Sequence, residues 1–493
     1  MLLVVLMTQI LSALLNFLFM SVKCREAAIM SLLLCSLFVL CFSIVVFKLF
    51  LIFKRILWKR KNKNCLSIGF FHPYCNAGGG GERVLWAAVR AIQKQFKDMQ
   101  CVIYSGDDVN DDEVINNVQL RFNIKLIRDV KIIHLRSRGF VEAKYYPYFT
   151  LLLQSMGSMV LGFEALSNFV PDIYIDTMGY AFTLPLFKVL GSCKVGCYVH
   201  YPTISTDMLK VVESRTIAVN NRRFISNSKF FSQLKLIYYK LFAFIYGAVG
   251  RYSELIMVNS SWTNGHILNL WHKPEATCIV YPPCDVTEFN NIPLERHKNE
   301  KRMRIVSIAQ FRPEKNHQLQ LKSFHELLKR LGNVPYPPQL VLIGSCRHDE
   351  DYERVKRLKD MCNDLGISAN VEFKINVTFQ DLLNEMTKSS VALHTMTNEH
   401  FGIGVVECMS AGLITIAHDS GGPKMDIIST AENQRTGFLA NDVITYADAL
   451  EKVFKTGYDD LYKIRSAARE SVDRFSDEKY EETFLYIFKL LCV

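Results

Sequence analysis

Twice along this chain, short apolar runs rich in β-branched residues alternate with longer stretches of helical period, and one polar stretch separates the two series. Alternation of this kind folds as a parallel sheet covered by helices, because each strand is buried on both faces and each crossover needs a helix. The first series places strands at Leu66–Phe71, Val102–Ser105, Ile173–Asp176, Gly196–His200 and Leu255–Asn259. The second restarts with Arg304–Ala309, Leu340–Gly344, Val371–Lys374, Val391–Thr395 and Ile414–Ala417, and sets helices at His317–Leu331 and Tyr352–Leu365 between them. Residues 286–301, rich in Asn, Glu, Arg and Lys, read as a linker. The expectation is an α/β chain of two tandem Rossmann-like domains, residues 64–285 and 302–472, with a C-terminal helix in residues 473–493 packing back onto the first. Two such domains open a cleft between the C-terminal strand ends of both sheets, where open α/β sheets bind ligands.

Residues 1–63 have a different character. Two apolar runs, Met1–Met20 and Met30–Phe53, precede the first strand, and a spanning helix needs ~20 apolar residues, so the second run is long enough. One span and two spans both fit this pattern. No small-residue cleavage site follows the first run, which reads as an uncleaved anchor. Lys54, Arg55, Lys59, Arg60, Lys61 and Lys63 follow the second run, against only Lys23, Arg25 and Glu26 between the two. The positive-inside rule therefore places the large C-terminal part in the cytosol, with the cations drawn to anionic lipid.

That cluster also accounts for the formal net charge of +10: residues 1–63 hold nine Lys or Arg and one Glu, so the remaining 430 residues carry only +2. A nucleic-acid partner is excluded on this ground, since it needs a basic face on the folded domain. The 14 cysteines are scattered without any C-x-x-C pair, which suits buried thiols in a reducing compartment rather than a zinc site. Sequons at Asn259 and Asn376 stay unmodified in a cytosolic domain. The aromatic stretch Phe230–Val249 fits either a helix lying on the membrane or an ordinary buried helix.

Three segments carry chemistry. Strand Leu66–Phe71 runs into His72-Pro-Tyr-Cys-Asn-Ala followed by four glycines and Glu82-Arg83, and then an apolar helix. Gly79, Gly80 and Gly81 let backbone N–H groups approach an anionic or sugar ligand at the helix start. No Lys-Ser/Thr follows, so this is not a Walker A loop, and the dinucleotide fingerprint G-x-G-x-x-G fails as well. In Glu399-His-Phe-Gly402-Ile-Gly404-Val-Val-Glu407, two carboxylates flank a strand-to-helix junction. This spacing suits one carboxylate on sugar hydroxyls and the other on a ribose, with the helix N-terminus facing a diphosphate. Upstream, Gln310-Phe-Arg312-Pro-Glu-Lys315 supplies two cations for the charge that accumulates on a departing diphosphate. The one literal D-x-D, Asp349–Asp351, opens a charged helix and reads as an exposed face.

The Glu399–Glu407 pattern, the Gly-rich loop and Ser420-Gly-Gly-Pro423 resemble the retaining glycosyltransferases of the two-Rossmann-domain, or GT-B, type. Tyr198-Val-His-Tyr-Pro-Thr-Ile-Ser205, Ala309-Gln-Phe-Arg-Pro-Glu-Lys315 and the loop from His72 to Trp86 narrow the resemblance to the asparagine-linked glycosylation α-1,2-mannosyltransferase family, over residues 64 to the end. The resemblance implies GDP-mannose as donor and a dolichol-pyrophosphate oligosaccharide as acceptor, at the cytosolic face of the endoplasmic reticulum. It implies addition of the fourth and fifth mannoses, each α-1,2 linked with retention. By the same carry-over, Glu407 binds the ribose, Glu399 the mannose hydroxyls and Lys315 the diphosphate, while His200 sits near the reacting sugar. Gln310 departs from the wider family, which has Arg there, leaving Arg312 as the candidate replacement. No metal or other cofactor is expected, because Arg312, Lys315 and the Gly402 helix end stand where a divalent ion would. The endoplasmic reticulum membrane and other mannosyltransferases of the same pathway are the candidate partners. Competing readings are another sugar nucleotide on the same fold, a membrane-tethered oxidoreductase, and an inactive scaffold.

Overall fold

The computed structural model describes residues 22–63, 65–213, 229–297 and 302–492. The first apolar run, Met1–Met20, lies outside these residues. The chain builds two wholly parallel sheets. Strands β1 (Leu66–Phe71), β2 (Met99–Ser105), β3 (Lys131–His134), β4 (Ile173–Asp176), β5 (Lys194–Val199), β6 (Leu255–Val258) and β7 (Thr277–Ile279) form the first, in the order β3-β2-β1-β4-β5-β6-β7. The second contains β8 (Arg304–Ile308), β9 (Gln339–Gly344), β10 (Val371–Ile375), β11 (Val391–His394), β12 (Ile414–His418) and β13 (Phe438–Ala440), in the order β10-β9-β8-β11-β12-β13. Both expected domains are therefore present. The strands that the sequence pattern misses, β3, β7 and β13, are all at sheet edges, where short half-covered strands lack a continuous apolar run. His200 and Asn259 fall just beyond β5 and β6 rather than inside them.

Among the described residues, fourteen helices of eight residues or more surround the sheets: α1 (Val22–Lys61), α2 (Gly80–Gln95), α3 (Asp111–Phe122), α4 (Thr150–Asn168), α5 (Thr206–Glu213), α6 (Lys229–Gly250) and α7 (Ser261–Trp271) in the first part of the chain. Helices α8 (His317–Leu331), α9 (Asp349–Asp364), α10 (Phe379–Lys388), α11 (Ile403–Ser410), α12 (Val443–Lys455), α13 (Tyr458–Val472) and α14 (Asp477–Cys492) complete them. The strand order reverses at β1/β4 in one sheet and at β8/β11 in the other. Loops leaving those four strands diverge, and the crevice between them is the place for a ligand. Both crevices face the same interdomain cleft.

The stretch expected to be a linker is mostly packed. Phe289 and Ile292 join Val306 and Val341 in the core of the second domain, and Val286 lies against Val405. The crossing itself is short, at Pro283–Asp285, because Cys284 pairs with Ser476 where the chain returns. After that return α14 packs onto α2, as the sequence pattern suggests. Phe484, Phe488 and Leu491 complete the first domain's core, the Tyr480 hydroxyl donates to the Val84 carbonyl at 3.1 Å, and Asp477 and Glu481 pair with Arg83, Arg90 and Lys94.

Helix α1 has 40 residues, about 60 Å at 1.5 Å per residue. Among the described residues it is the one helix long and apolar enough to cross a membrane. Its end is docked onto the first domain. The Phe47 ring stacks on Phe163 at 4.5 Å, Trp58 meets Phe169 edge-on, and Leu51 is buried. The Lys54 ammonium donates to the Ser167 and Asn168 carbonyls at the end of α4, Arg55 donates to Pro171 and Gly191, and Lys59 pairs with Asp172 at 2.7 Å. Three of the six cations expected to face lipid thus hold the domain, Lys54 by capping the end of α4, where the carbonyls at a helix C-terminus attract positive charge. Arg60, Lys61 and Lys63 remain exposed.

Helix α6 is buried along one face and exposed along the other. Tyr239, Phe242 and Tyr246 are buried in the domain core, whereas Phe230, Leu234, Ile237, Leu241 and Phe244 form an exposed apolar stripe along the opposite side.

Candidate active site

A cleft of about 750 Å³ separates the domains. Gly80, Gly81, Met178 and His200 wall it from the first domain, and Gln310, Lys315, Glu399, Gly402, Gly404 and Glu407 from the second. Domain contacts close it at one end: the Asp426 carboxylate accepts from the Ser261 amide and hydroxyl and from Tyr281, and the Tyr201 ring stacks on His400 at 4.1 Å.

Glu399 lies in the loop after β11. Its Oε2 accepts from Lys315 Nζ at 2.7 Å and from His394 Nε2 at 3.1 Å. Burial works against its ionisation, but His394 and Lys315 outweigh that and hold the carboxyl well below the usual range. The Ser-Gly-Gly-Pro segment explains how this loop comes so close. Ser420 Oγ accepts from the Asn398 amide at 2.7 Å, and the Gly422 amide donates to the Glu399 carbonyl at 2.8 Å. A Cβ on Gly421, whose φ is +62°, would collide with the Glu399 backbone, and one on Gly422 with Phe401.

Helix α11 begins at Gly402, with φ +113°, so its free N–H groups open into the cleft between Glu399 and Glu407. Glu407 contrasts with Glu399 in having no ion pair among the described residues. Burial pushes its carboxyl up to about 7, and Arg83 opposes this only in part. One carboxylate is held charged while the other is left poised near neutrality.

His200 follows β5. Its Nε2–H donates to the Thr177 carbonyl at 3.1 Å, and burial, followed by the nearby His72, lowers its pKa to about 4. The ring is therefore neutral at physiological pH, with Nδ1 free to accept. Gly81 lies against this ring, so that a Cβ there would stand 3.4 Å from Nε2. Gly80 faces the other domain, where a Cβ would meet Ile403 Cδ1 at 2.8 Å. Gly79 does not line the cleft. It caps α2, and its amide donates to Glu82.

Glu82 and His72 are functional candidates that the motif reading passed over. Glu82 lies 3.3 Å from His72 Nε2, and His72 Nδ1 lies 2.9 Å from the Thr177 hydroxyl, all buried. The chain Glu82–His72–Thr177 thus ties the glycine loop to the residue that orients His200. Burial disfavours the Glu82 carboxylate, yet His72 and the Gly79 amide keep its pKa lowered. Glu82→Gln is expected to reduce kcat about tenfold while KM for the donor changes less than about twofold, measured by steady-state kinetics. His394 and Asn259 were missed too. Asn259 Nδ2 donates to the His200 carbonyl at 2.9 Å, which buries this sequon.

Arg312 is not brought into the cleft. Gln310 lines it, whereas Arg312 turns toward α9 and helps keep the Asp351 carboxyl lowered. The chain turns tightly at Phe311, where the Arg312 amide donates to the Gln310 carbonyl at 2.7 Å, so the two side chains do not share the face they would share in an extended segment. Asp349 opens α9 and is exposed, as the sequence pattern suggests. Asn376, Thr378, Phe379 and Leu382 form a further wall of the cleft, polar and apolar groups together. No motif announces it.

Comparison with known proteins agrees with this geometry. Residues 65–271 match the family described as ALG11 mannosyltransferase N-terminus, and residues 289–471 match glycosyl transferases group 1. The chain is 54% identical over 452 residues to a GDP-Man:Man(3)GlcNAc(2)-PP-Dol alpha-1,2-mannosyltransferase of Xenopus tropicalis, covering 90% of this chain and 92% of that protein. It is 52% identical over 460 residues to the Homo sapiens protein of the same name, covering 92% and 94%. Among solved structures, sucrose-phosphate synthase from Thermosynechococcus elongatus superposes with a TM-score of 0.61 at 14% identity, covering 86% of this chain and 99% of that one. That likeness establishes the GT-B fold.

Proposed function

The chain belongs to the GDP-Man:Man(3)GlcNAc(2)-PP-Dol alpha-1,2-mannosyltransferase family, and we infer from that membership that it transfers mannose from GDP-mannose to a dolichol-pyrophosphate-linked oligosaccharide. The products are the fourth and fifth mannoses, α-1,2 linked with retention. The observation that carries this reading is the pairing of a charged Glu399 and an unpaired Glu407 on either side of one helix N-terminus in the interdomain cleft.

In this reading the ribose hydroxyls donate to Glu407, the mannose hydroxyls to Glu399, and the guanine rests against Phe379 and Leu382. The bond from mannose C1 to the β-phosphate oxygen breaks as the acceptor 2-hydroxyl bonds C1 on the same face. The hydroxyl proton passes to the departing phosphate oxygen. Negative charge grows on that phosphate, and the Lys315 ammonium with the α11 amides stabilises it. Neutral His200 accepts a hydrogen bond through Nδ1 and positions the sugar without adding charge. Because Lys315 and the helix end supply the positive charge, we expect no divalent ion to be required. Helix α1 and the apolar stripe of α6 hold the enzyme on the cytosolic face of the endoplasmic reticulum membrane, where other mannosyltransferases of the pathway are its candidate neighbours.

The test is transfer of labelled mannose from GDP-mannose to a synthetic lipid-pyrophosphate trimannosyl acceptor, with EDTA present and with UDP-sugars as alternative donors. Transfer that resists EDTA, fails with UDP-sugars and is lost in His200→Ala is the expected result. Transfer from a UDP-sugar, or none from GDP-mannose by folded protein, overturns the donor assignment.

A further inference from the structure

The chain crosses between the domains twice, outward at Pro283–Asp285 and back at Ser476, and the two crossings lie side by side. The Cys284 amide donates to the Phe475 carbonyl at 2.9 Å. A cavity of about 190 Å³ opens beside them, lined by Arg90, Lys94, Asp285, Ser476, Asp477 and Glu481. Two short segments next to open space form a hinge that bends unless side chains brace it.

One guanidinium braces it from the first domain. Arg83, only 8% exposed, stands in the first turns of α2. Its Nε donates to the Pro283 carbonyl at 3.2 Å on the outgoing crossing, and its Nη2 to Asp477 Oδ1 at 2.8 Å on the returning one. Asp285 Oδ2 lies 3.8 Å from the same Nη2. Nη1 donates to the Phe122 carbonyl at the end of α3 at 3.1 Å, which fixes the guanidinium plane within the first domain. A planar fork with donors on several edges can hold three segments at once, a geometry that an ammonium lacks.

The second domain grips the outgoing crossing as well. The Ser410 hydroxyl, at the end of α11, lies 3.0 Å from the Val286 carbonyl, and Arg469 on α13 donates to the Ser410 and Ile292 carbonyls at 2.8 and 2.7 Å. A braced path therefore runs from α2, whose Gly80 and Gly81 wall the cleft, through Arg83 and the crossing to α11, which carries Glu407 and is capped by Gly402.

We propose that Arg83 is a positioning residue for the reaction: by bridging both crossings from the helix that follows the glycine loop, it sets the angle at which that loop faces α11 across the cleft. The inference rests on the proposed reaction only in its kinetic arm, since the angle is a property of the two domains. The competing account is a role in stability alone, in which loss of the guanidinium lowers Tm but leaves folded molecules with one domain angle and a normal rate.

The experiment measures the distance between spin labels introduced as noncanonical residues at Ile127 in the first domain and at Ile444 on α12, both exposed, in the full chain in detergent with GDP bound. Pulsed dipolar EPR is expected to give one narrow distribution for the parent protein and one at least about twice as wide for Arg83→Lys and Arg83→Gln. Arg83→Lys keeps the positive charge that acts on Glu407, so its GDP affinity should stay within about twofold of the parent. Its kcat for mannose transfer should nevertheless fall about tenfold or more, with KM for GDP-mannose changed less than about threefold. Should neither Arg83 variant fold, Ser410→Ala cuts the same path at its second-domain end, and the same broadening is expected. An unbroadened distribution in a folded variant overturns the proposal, and so does a broadened one with kcat unchanged. If the parent transfers no mannose, the distances still decide whether Arg83 sets the angle, and that failure counts against the proposed reaction alone.

Discussion

Glu407→Gln should lose donor binding and gain stability in the same molecule. The Glu407 carboxyl is raised to about 7 chiefly by burial, without an ion pair among the described residues. In the unfolded chain it ionises near the usual value of 4.5 at no such cost. The folded state therefore carries a penalty that is absent below pH 4.5, grows as pH rises, and is complete above about 7. The side chain keeps some exposure, so removing the charge is expected to stabilise by about 1–2 kcal/mol at pH 8, a Tm rise of a few degrees that vanishes in acid. Binding moves the other way. In the proposed reading the ionised carboxylate accepts both ribose hydroxyls, so GDP-mannose should bind the wild type about tenfold more weakly at pH 6 than at pH 8. Glu407→Gln should flatten that pH dependence, binding about 100-fold more weakly than the wild type at pH 8 and about tenfold more weakly at pH 6. Calorimetric titration and thermal melts across pH check both signs. A destabilised variant that binds normally would place Glu407 in the scaffold rather than the site.

Lys315→Ala should be the most damaging change to turnover. Lys315 Nζ lies 2.7 Å from Glu399 Oε2 and is the cation that lines the diphosphate end of the cleft, Arg312 having turned away. Without it, charge on the leaving phosphate meets only the α11 amides, and kcat is expected to fall about 1,000-fold. Glu399 is affected too. With only His394 opposing burial, its carboxyl rises back toward the usual range, so the variant's residual rate should acquire an acid limb that the wild type lacks. Lys315→Arg restores charge but not the compact ammonium, and should recover only part of the rate. Pre-steady-state rates and their pH profiles separate these effects. A kcat within about threefold of wild type in Lys315→Ala would remove this residue from the transition-state machinery.

Much of the site was legible before folding. The glycine run, the two carboxylates around Gly402 and the cation at Lys315 are local signatures, because a strand end, a tight turn and a helix start are neighbours in sequence. Their roles as contacts were not. The Ser420-Gly-Gly-Pro segment reads as a loop, yet its function is to let the Glu399 backbone approach where any Cβ would collide. Glu82 and His72 meet across the glycine loop, but they reach Thr177 and so His200 only because β1 and β4 are adjacent at the switch point. Two residues of offset would put Gln310 and Arg312 on one face of an extended segment, and only the tight turn at Phe311 sends Arg312 away from the cleft.

The amino-acid sequence by itself determined the two parallel sheets, the crevice at their strand ends, an apolar run long enough to span a membrane and the residue types that line the cleft. All of these follow from periodicity, apolar length and local turn chemistry, which act over a few residues. Only the tertiary structure decided that Lys54, Arg55 and Lys59 hold α1 to the domain, that α6 buries one apolar face and exposes another, and that Glu399 is held charged while the Glu407 carboxyl is raised to about 7. Those outcomes depend on burial and on partners from distant parts of the chain, and desolvation and pairing arise only when the packed domains come together.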